Sequence, residues 1–360
     1  MSAPLGESVE LPGLPVEAPP DLDDPLPSLD PPEGRPLWRA RRAAEAAAKA
    51  GGEPLRHVVG VVGAASALVA TELRAATGRL VVCVVDGVER AGKLAADLSF
   101  LAGERREGGD GGALGRVLVL PPYETSPYAD VNPDRRAAMA RLAVLHHVAS
   151  GGEAHFLVVT AGSLARKLVA PAVVTRHALR VEAEQELDRD AFVAGLSRAG
   201  YLRVPVVEDP GSFAVRGGLI DLWPASLSEP VRVELYGDLV LSLKQFDPEG
   251  QRTLREIKAV ALPPAREAVL TDEAVARARE ALRGACDAAE WPSTKARQLV
   301  DDVTAGRGFF GADGFLPAFG ELAPLFDYLP AGASFVLEDP PALTRALRDE
   351  LGRAMADENE

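Results

Sequence analysis

Between Leu55 and Leu168 the apolar residues recur in two alternating rhythms. Short unbroken runs such as Leu80-Val81-Val82-Cys83-Val84-Val85 are rich in β-branched residues, as expected of strands buried on both faces. Longer stretches between them carry apolar residues at helical spacing. The pattern predicts strands at Leu55–Val62, Leu80–Val85, Arg116–Leu120 and Ala154–Thr160. It predicts helices at Ser66–Thr77 (stopped by Gly78), from about Val88 to Leu101, at Asp134–Ala149 and at Ala161–Leu168. A glycine-rich loop lies around Gly108–Gly112, and an earlier alanine-rich stretch, Trp38–Ala50, reads as a helix ending at Gly51-Gly52. Such alternation implies a doubly wound parallel sheet with helices on both faces.

Near residue 178 the rhythm shortens. Strands are predicted at Val204–Glu208, Ser212–Arg216, Leu219–Trp223, Val231–Tyr236 and Val240–Phe246, separated by Asp209-Pro210-Gly211, Gly217-Gly218 and Gly237-Asp238. These residues suit tight reversals, so a second, mostly antiparallel β-rich (α+β) domain is inserted into the first. After Leu262-Pro263-Pro264 the pattern is helical again over Asp272–Ala289. A strand at Ser334–Leu337 and a charged terminal helix then return to complete the α/β layer.

Composition modifies this picture at the N-terminus. Residues 1–36 are crowded with proline and acidic residues and bury too little apolar surface to offset their ordering entropy, so they read as a disordered tail. The rest of the 360 residues, 47% hydrophobic overall, suffice for two or three domains. A formal charge of −14 argues against a surface built mainly for duplex DNA, so any basic patch must be local. Cys83 and Cys286 stand far apart with no CxxC, as expected in a reducing cytoplasm. Neither a signal peptide nor a bilayer-spanning apolar run is apparent, so no membrane partner is expected.

Candidate chemistry is sparse. The segment Val58-Val59-Gly60-Val61-Val62-Gly63-Ala64-Ala65-Ser66-Ala67 lies where a phosphate loop of pattern GxxxxGK[ST] belongs. Gly60 fits the first glycine and Gly63 lies within the loop. However, Ala65 replaces the second glycine, Ser66 the phosphate-binding lysine and Ala67 the magnesium-holding hydroxyl. A plain βα turn and an inactive remnant of a nucleotide loop both fit; neither is expected to bind nucleotide. Ser334–Leu337 followed by Glu338-Asp339 has the form of a strand ending in magnesium-binding acids, but lacks its partner in the loop. No HExxH, GxSxG or metal-type spacing occurs, so no catalytic residue, metal or cofactor is expected. His146-His147 reads as favourable charge at a helix C-terminus. Glu184 and Glu186 read as solvated.

Three stretches together carry a recognisable signature. The first is Leu120-Pro121-Pro122-Tyr123-Glu124-Thr125-Ser126-Pro127-Tyr128, leading into a helix with Arg135, Arg136 and Arg141. The second runs from Gly200-Tyr201 through Gly211-Ser212-Phe213-Ala214-Val215-Arg216-Gly217-Gly218-Leu219-Ile220-Asp221-Leu222-Trp223-Pro224 and Pro230–Asp238 to Phe246-Asp247-Pro248 and Gln251-Arg252. The third is Leu325-Phe326-Asp327-Tyr328-Leu329-Pro330. From about residue 55 to about 345 the chain resembles the N-terminal, UvrB-homologous module of the bacterial transcription-repair coupling factors (Mfd). The excision-repair helicase UvrB shares this module. UvrB, however, keeps an intact phosphate loop and inserts a long aromatic-rich hairpin where this chain passes directly from Tyr128 to the Asp134 helix.

The resemblance implies a degenerate helicase-type, P-loop-like parallel sheet domain made of residues 37–177 and 262–360. It implies an inserted UvrA-binding domain at 178–261, in which Arg216, Arg232 and Tyr236 contact UvrA. Period two in Val231–Tyr236 puts Val231, Val233 and Leu235 on one face, expected to be core, and Arg232, Glu234 and Tyr236 on the other. From the pattern alone that second face reads first as a solvated one on which Glu234 pairs with Arg232, and the resemblance reverses this for Arg216, Arg232 and Tyr236 but not for Glu234. Family domains that meet RNA polymerase and drive ATP-dependent translocation on DNA belong to the implied parent. Two alternatives remain open: a UvrB-like ATPase with a divergent phosphate loop, and a DNA-binding module using Arg135, Arg136 and Arg141.

Overall fold

The computed structural model describes residues 61–103, 114–126, 134–305 and 312–358, with the single positions 41, 42, 45, 58 and 128. The expected tail at 1–36, most of the Trp38–Ala50 helix, and residues 108–112 lie outside the described residues. Most of the Leu55–Val62 strand, including Gly60, also lies outside them, and Val61 and Val62 are not in a strand.

Four parallel strands form the first sheet in the order β14-β1-β3-β2. They are β1 (Val81–Val85), β2 (Val117–Val119), β3 (Phe156–Thr160) and β14 (Ser334–Leu337). Every residue of β1 and β3 is buried, as their unbroken apolar runs require. Val81, Cys83 and Val85 pack with α1 (Ala65–Thr77) and α2 (Val88–Leu101) on one face. Val82 and Val84 pack with α3 (Arg135–Ala149) and the terminal helix α10 (Pro340–Glu358) on the other. Burial, and secondarily the Glu338 carboxylate, push the Cys83 thiol up to about 12. Helix α1 ends at Gly78, whose φ of 65° is the left-handed cap glycine favours.

The expected helix at Ala161–Leu168 is shorter, α4 (Ala161–Ala165), because β4 (Leu168–Val169) pairs antiparallel with β13 (Leu322–Ala323). After α5 (Pro171–Arg176), strand β5 (Leu179–Glu182) pairs antiparallel with β12 (Ala259–Leu262), bringing the two ends of the intervening segment together. Between them lie α6 (Arg189–Arg198) and a six-stranded sheet in the order β11-β10-β9-β8-β7-β6. Its strands are β6 (Leu202–Arg203), β7 (Ser212–Arg216), β8 (Leu219–Leu222), β9 (Val231–Tyr236), β10 (Leu239–Phe246) and β11 (Thr253–Ile257), all antiparallel except β6 with β7. The strand expected at Val204–Glu208 is absent and only β6 forms. Pro205 cannot donate to a ladder, and Val207 is buried as a core plug instead.

Helix α7 (Asp272–Ala288) follows the expected pattern. It packs with α8 (Ser293–Thr304) and α9 (Leu316–Phe319) around Leu282, Val303 and Phe319, a small helical core separate from either sheet. Fold class is therefore α/β, a parallel sheet with helices on both faces joined to a largely antiparallel β-rich unit.

Candidate partner-binding surface

The six-stranded sheet has one covered face and one open face. Phe213, Ile220, Leu222, Val231, Val233, Val240 and Leu243 point into a common core with α6 residues Phe192 and Leu196. Period two then sends Arg216, Asp221, Arg232, Glu234 and Lys244 to the open face. Cross-strand register aligns Asp221, Arg232, Lys244 and Glu256 in one row over β8 to β11.

Asp221 organises this face. Its side chain is only 1% exposed, and both oxygens accept from guanidinium groups. Arg232 Nε donates to Oδ1 at 2.7 Å and its Nη2 to Oδ2 at 2.9 Å, while Arg216 Nη2 also donates to Oδ2. Arg232 is further held by Gln251 Oε1 at 3.1 Å and lies 4.6 Å above the Phe246 ring. The hydrogen bonds to Asp221, and after them the charges of Asp221 and Glu234, raise the Arg232 pKa against the opposing effect of burial. Arg216 is freer, with its side chain 46% exposed, and Tyr236 is 78% exposed at the end of β9.

The pairing of Glu234 differs from the expected one. Its Oε2 accepts from Lys244 Nζ at 2.8 Å and Ser242 Oγ at 2.7 Å, and these bonds hold its carboxyl below the usual range. Arg232 has a better partner in Asp221, directly opposite on β8. Asp221 is thus a functional residue that the strand pattern does not assign. The available signal was an acid inside an apolar strand, Leu219-Ile220-Asp221-Leu222, which requires a buried cation.

Two glycines shape the edge of this face. Gly217 takes φ 58° in the β7–β8 turn, and a Cβ on Gly218 would lie 2.7 Å from the Leu235 carbonyl oxygen. That close approach lets Leu235 N donate to Gly218 O at 2.8 Å, fastening the turn that follows Arg216 to the strand that carries Arg232.

Residues 179–267, which contain this entire sheet, match the family described as the UvrB interaction domain. A transcription-repair-coupling factor of Myxococcus xanthus is 39% identical over 332 residues, covering 86% of this chain and 27% of that protein. Factors of the same name from Haemophilus influenzae (29% identity, 77% of this chain, 23% of the relative) and Escherichia coli (31%, 61% and 19%) also match. The chain matches the N-terminal, UvrB-homologous module of the transcription-repair-coupling factors. It spans about a quarter of the length of these relatives.

Two further features of this UvrB-homologous module lie outside the six-stranded sheet. At the phosphate-loop position, Gly63 has φ 62° and Ser66 is buried at the start of α1. Arg90 of α2 fills the crevice between this helix start and the end of β14. Its Nε and Nη2 donate to Glu338 Oε2 and Oε1 at 2.7 and 2.6 Å, and Nη2 also donates to Ser66 Oγ at 2.7 Å and Gly63 O at 3.1 Å. The neighbouring Asp339 accepts from Ala342 N at 3.1 Å and caps α10. Among the described residues, no group of three or more His, Cys, Asp and Glu could hold a metal ion.

The second feature is the arginine-bearing helix α3. Arg135 Nη2 donates to the Gly200 and Gly211 carbonyls at 3.1 and 2.7 Å, and Arg136 pairs with Asp209. Arg141 is 1% exposed and bonds Glu267 Oε1 at 3.0 Å and the Pro121 and Pro122 carbonyls at 3.0 and 2.9 Å. Tyr123 lies under the Arg141 guanidinium, 3.6 Å from it, and its hydroxyl donates to Glu267 Oε1 at 2.7 Å. The Pro-Pro-Tyr signature and Arg141 thus form one buried knot. Arg135 and Arg136 clip α3 to the six-stranded unit. The DNA-binding alternative loses its basis at Arg141, which is sealed from any phosphate, and is weakened at Arg135, whose Nη2 is held by two carbonyls. Among the described residues no helix is long and apolar enough to cross a membrane.

Proposed function

We propose that the chain is a non-catalytic adaptor that binds UvrA through the open face of the six-stranded sheet. In the parent protein this would bring excision repair to RNA polymerase stalled on DNA. Residues 178–261 would be the capturing domain, carried by a scaffold of residues 37–177 and 262–360. Arg216, Arg232 and Tyr236 are the assigned contacts. The observation that carries the reading is Asp221, a buried carboxylate that fixes the positions of two arginines on the open face of a segment that matches the UvrB interaction domain. An arginine pair and an exposed aromatic are the residue types enriched where interface energy concentrates.

Calorimetric titration into purified UvrA is the test. Arg232→Ala is expected to weaken binding by about 2 kcal/mol or more, roughly thirtyfold. A folded wild-type chain that does not bind UvrA would refute the adaptor role.

The competing ATPase reading is disfavoured by Arg90. The crevice offers no lysine at Ser66 and no hydroxyl at Ala67, and the acid that would face a metal, Glu338, is bound to an internal guanidinium. A nucleotide would have to displace that pair without a cation of the loop to meet its phosphates. Titration with magnesium-ATP is expected to release no heat of binding, and a saturable signal would restore the enzyme alternative.

A further inference from the structure

The open face has an apolar border beside its charged centre. At the end of the β9–β10 hairpin Leu239 pairs directly with Tyr236, so the two side chains project from the same face of the sheet. Two residues on, the register of β9 and β10 shifts between Val240 and Ser242, leaving Leu241 as an extra residue. A bulge of this kind re-aims its side chain, and Leu241 is 53% exposed although it sits between core-facing Val240 and Leu243. With Leu239 at 40% and Tyr236 at 78% exposed, three large apolar side chains border the hairpin end. Alternation alone places Tyr236 and Leu239 on this face, and the bulge adds Leu241 to them.

The charges beside this border are unequal. Glu234 is neutralised by Lys244 and Ser242. Asp221 is a single carboxylate shared by two guanidiniums, which leaves one positive charge over within that cluster, at the half-exposed Arg216, separated by three strands from Glu256 on β11. Arg216 reaches Asp221 through Nη2 and its side chain is 46% exposed, which turns the outer side of its guanidinium toward an incoming acceptor. A complementary surface must therefore bring a carboxylate to Arg216 and an apolar side chain to the hairpin end.

We propose that Leu239 and Leu241 are partner-contact residues, and that with Arg216 and Tyr236 they select a protein surface presenting an acidic side chain next to an apolar one. This rests on the adaptor reading and names the chemistry UvrA would have to supply. Arg216 would set the salt-sensitive part of binding, and the two leucines the salt-insensitive part.

Binding of the chain to UvrA should be titrated over a series of NaCl concentrations for wild type, Leu241→Thr, Leu239→Thr and Arg216→Gln. Threonine keeps strand propensity, and a circular dichroism melt identifies any variant that has lost its fold; the other leucine variant then serves. Each leucine variant is expected to weaken binding about fivefold to tenfold with an unchanged salt slope. Arg216→Gln is expected to weaken binding and flatten the slope. Wild-type affinity in both leucine variants, or a wild-type slope in Arg216→Gln, would overturn the proposal. So would sedimentation showing that the chain self-associates and that Leu241→Thr abolishes it, since the border would then belong to a second copy. If wild type itself fails to bind UvrA, the adaptor reading has failed first and this proposal falls with it, an outcome distinct from a variant-specific loss.

Discussion

Asp221 illustrates how one buried side chain can govern a surface. Its carboxylate is inaccessible, yet it determines where Arg216 and Arg232 stand. Removing the charge leaves Arg232, itself only 17% exposed, with Gln251 and the Phe246 ring but no anion. Hydrogen bonds to charged groups contribute about 1.5–3 kcal/mol each, and here they join three strands, β7, β8 and β9. Asp221→Asn is therefore expected to lower stability by about 2–3 kcal/mol in urea unfolding, more than the exposed Arg216→Gln, for which less than about 1 kcal/mol is expected. Equal losses would show that the carboxylate is not the centre of the cluster.

At the scale of elements, the hairpins of the six-stranded sheet depend on backbone contacts that side chains would obstruct. Gly218 is the clearest case. Its missing Cβ is what allows the β7–β8 turn to lie against Leu235 of β9, 2.7 Å from the carbonyl oxygen. The obstructing atom is backbone and cannot rotate away, so Gly218→Ala must shift one strand against the other. Overpacking of this kind costs about 1–3 kcal/mol. The expected result is a lower Tm together with weakened UvrA binding, because the turn carries Arg216. Retained Tm and affinity would mean that the hairpin position is not set by this contact. The strand runs and turn residues of this sheet were legible from alternation and from Gly-Asp and Gly-Gly pairs. Strands β5, β11 and β12, and helices α6 and α8, were not. Their burial is one-sided or partial, as in Thr253–Ile257 with no fully buried residue, so the apolar signal is diluted.

Across the whole molecule, the two sheets are tied by a buried ion pair rather than by an apolar interface alone. Arg141 of α3 and Glu267, the last residue of the interaction-domain match, are sealed together with Tyr123. Removing one partner of a buried pair costs about 3–5 kcal/mol, because the other charge stays buried without compensation. Glu267→Gln is expected to destabilise by that order in chemical denaturation. The double variant Arg141→Met with Glu267→Leu is expected to recover most of the loss, since an apolar pair leaves no unpaired charge. A double variant as unstable as the single one would show that Tyr123 and the Pro121 and Pro122 carbonyls depend on the arginine for more than charge balance.

The local code of this chain suffices for its α/β layering and for the alternation of β9, because strand period and turn chemistry are properties of neighbouring residues. The loss of the phosphate-binding pattern over Gly60–Ala67 is likewise a property of adjacent residues. What neighbouring residues cannot convey is which charges meet. Arg232 faced a candidate partner two positions away in Glu234, but strand pairing gave it Asp221, eleven positions earlier on an adjacent strand. Arg141 looked like part of a basic helix until packing buried it against Glu267, a contact spanning 126 positions. Arg90 and Glu338 meet across 248 positions for the same reason. Long-range electrostatic pairing depends on the register of distant elements, and that register is set by packing of the whole chain.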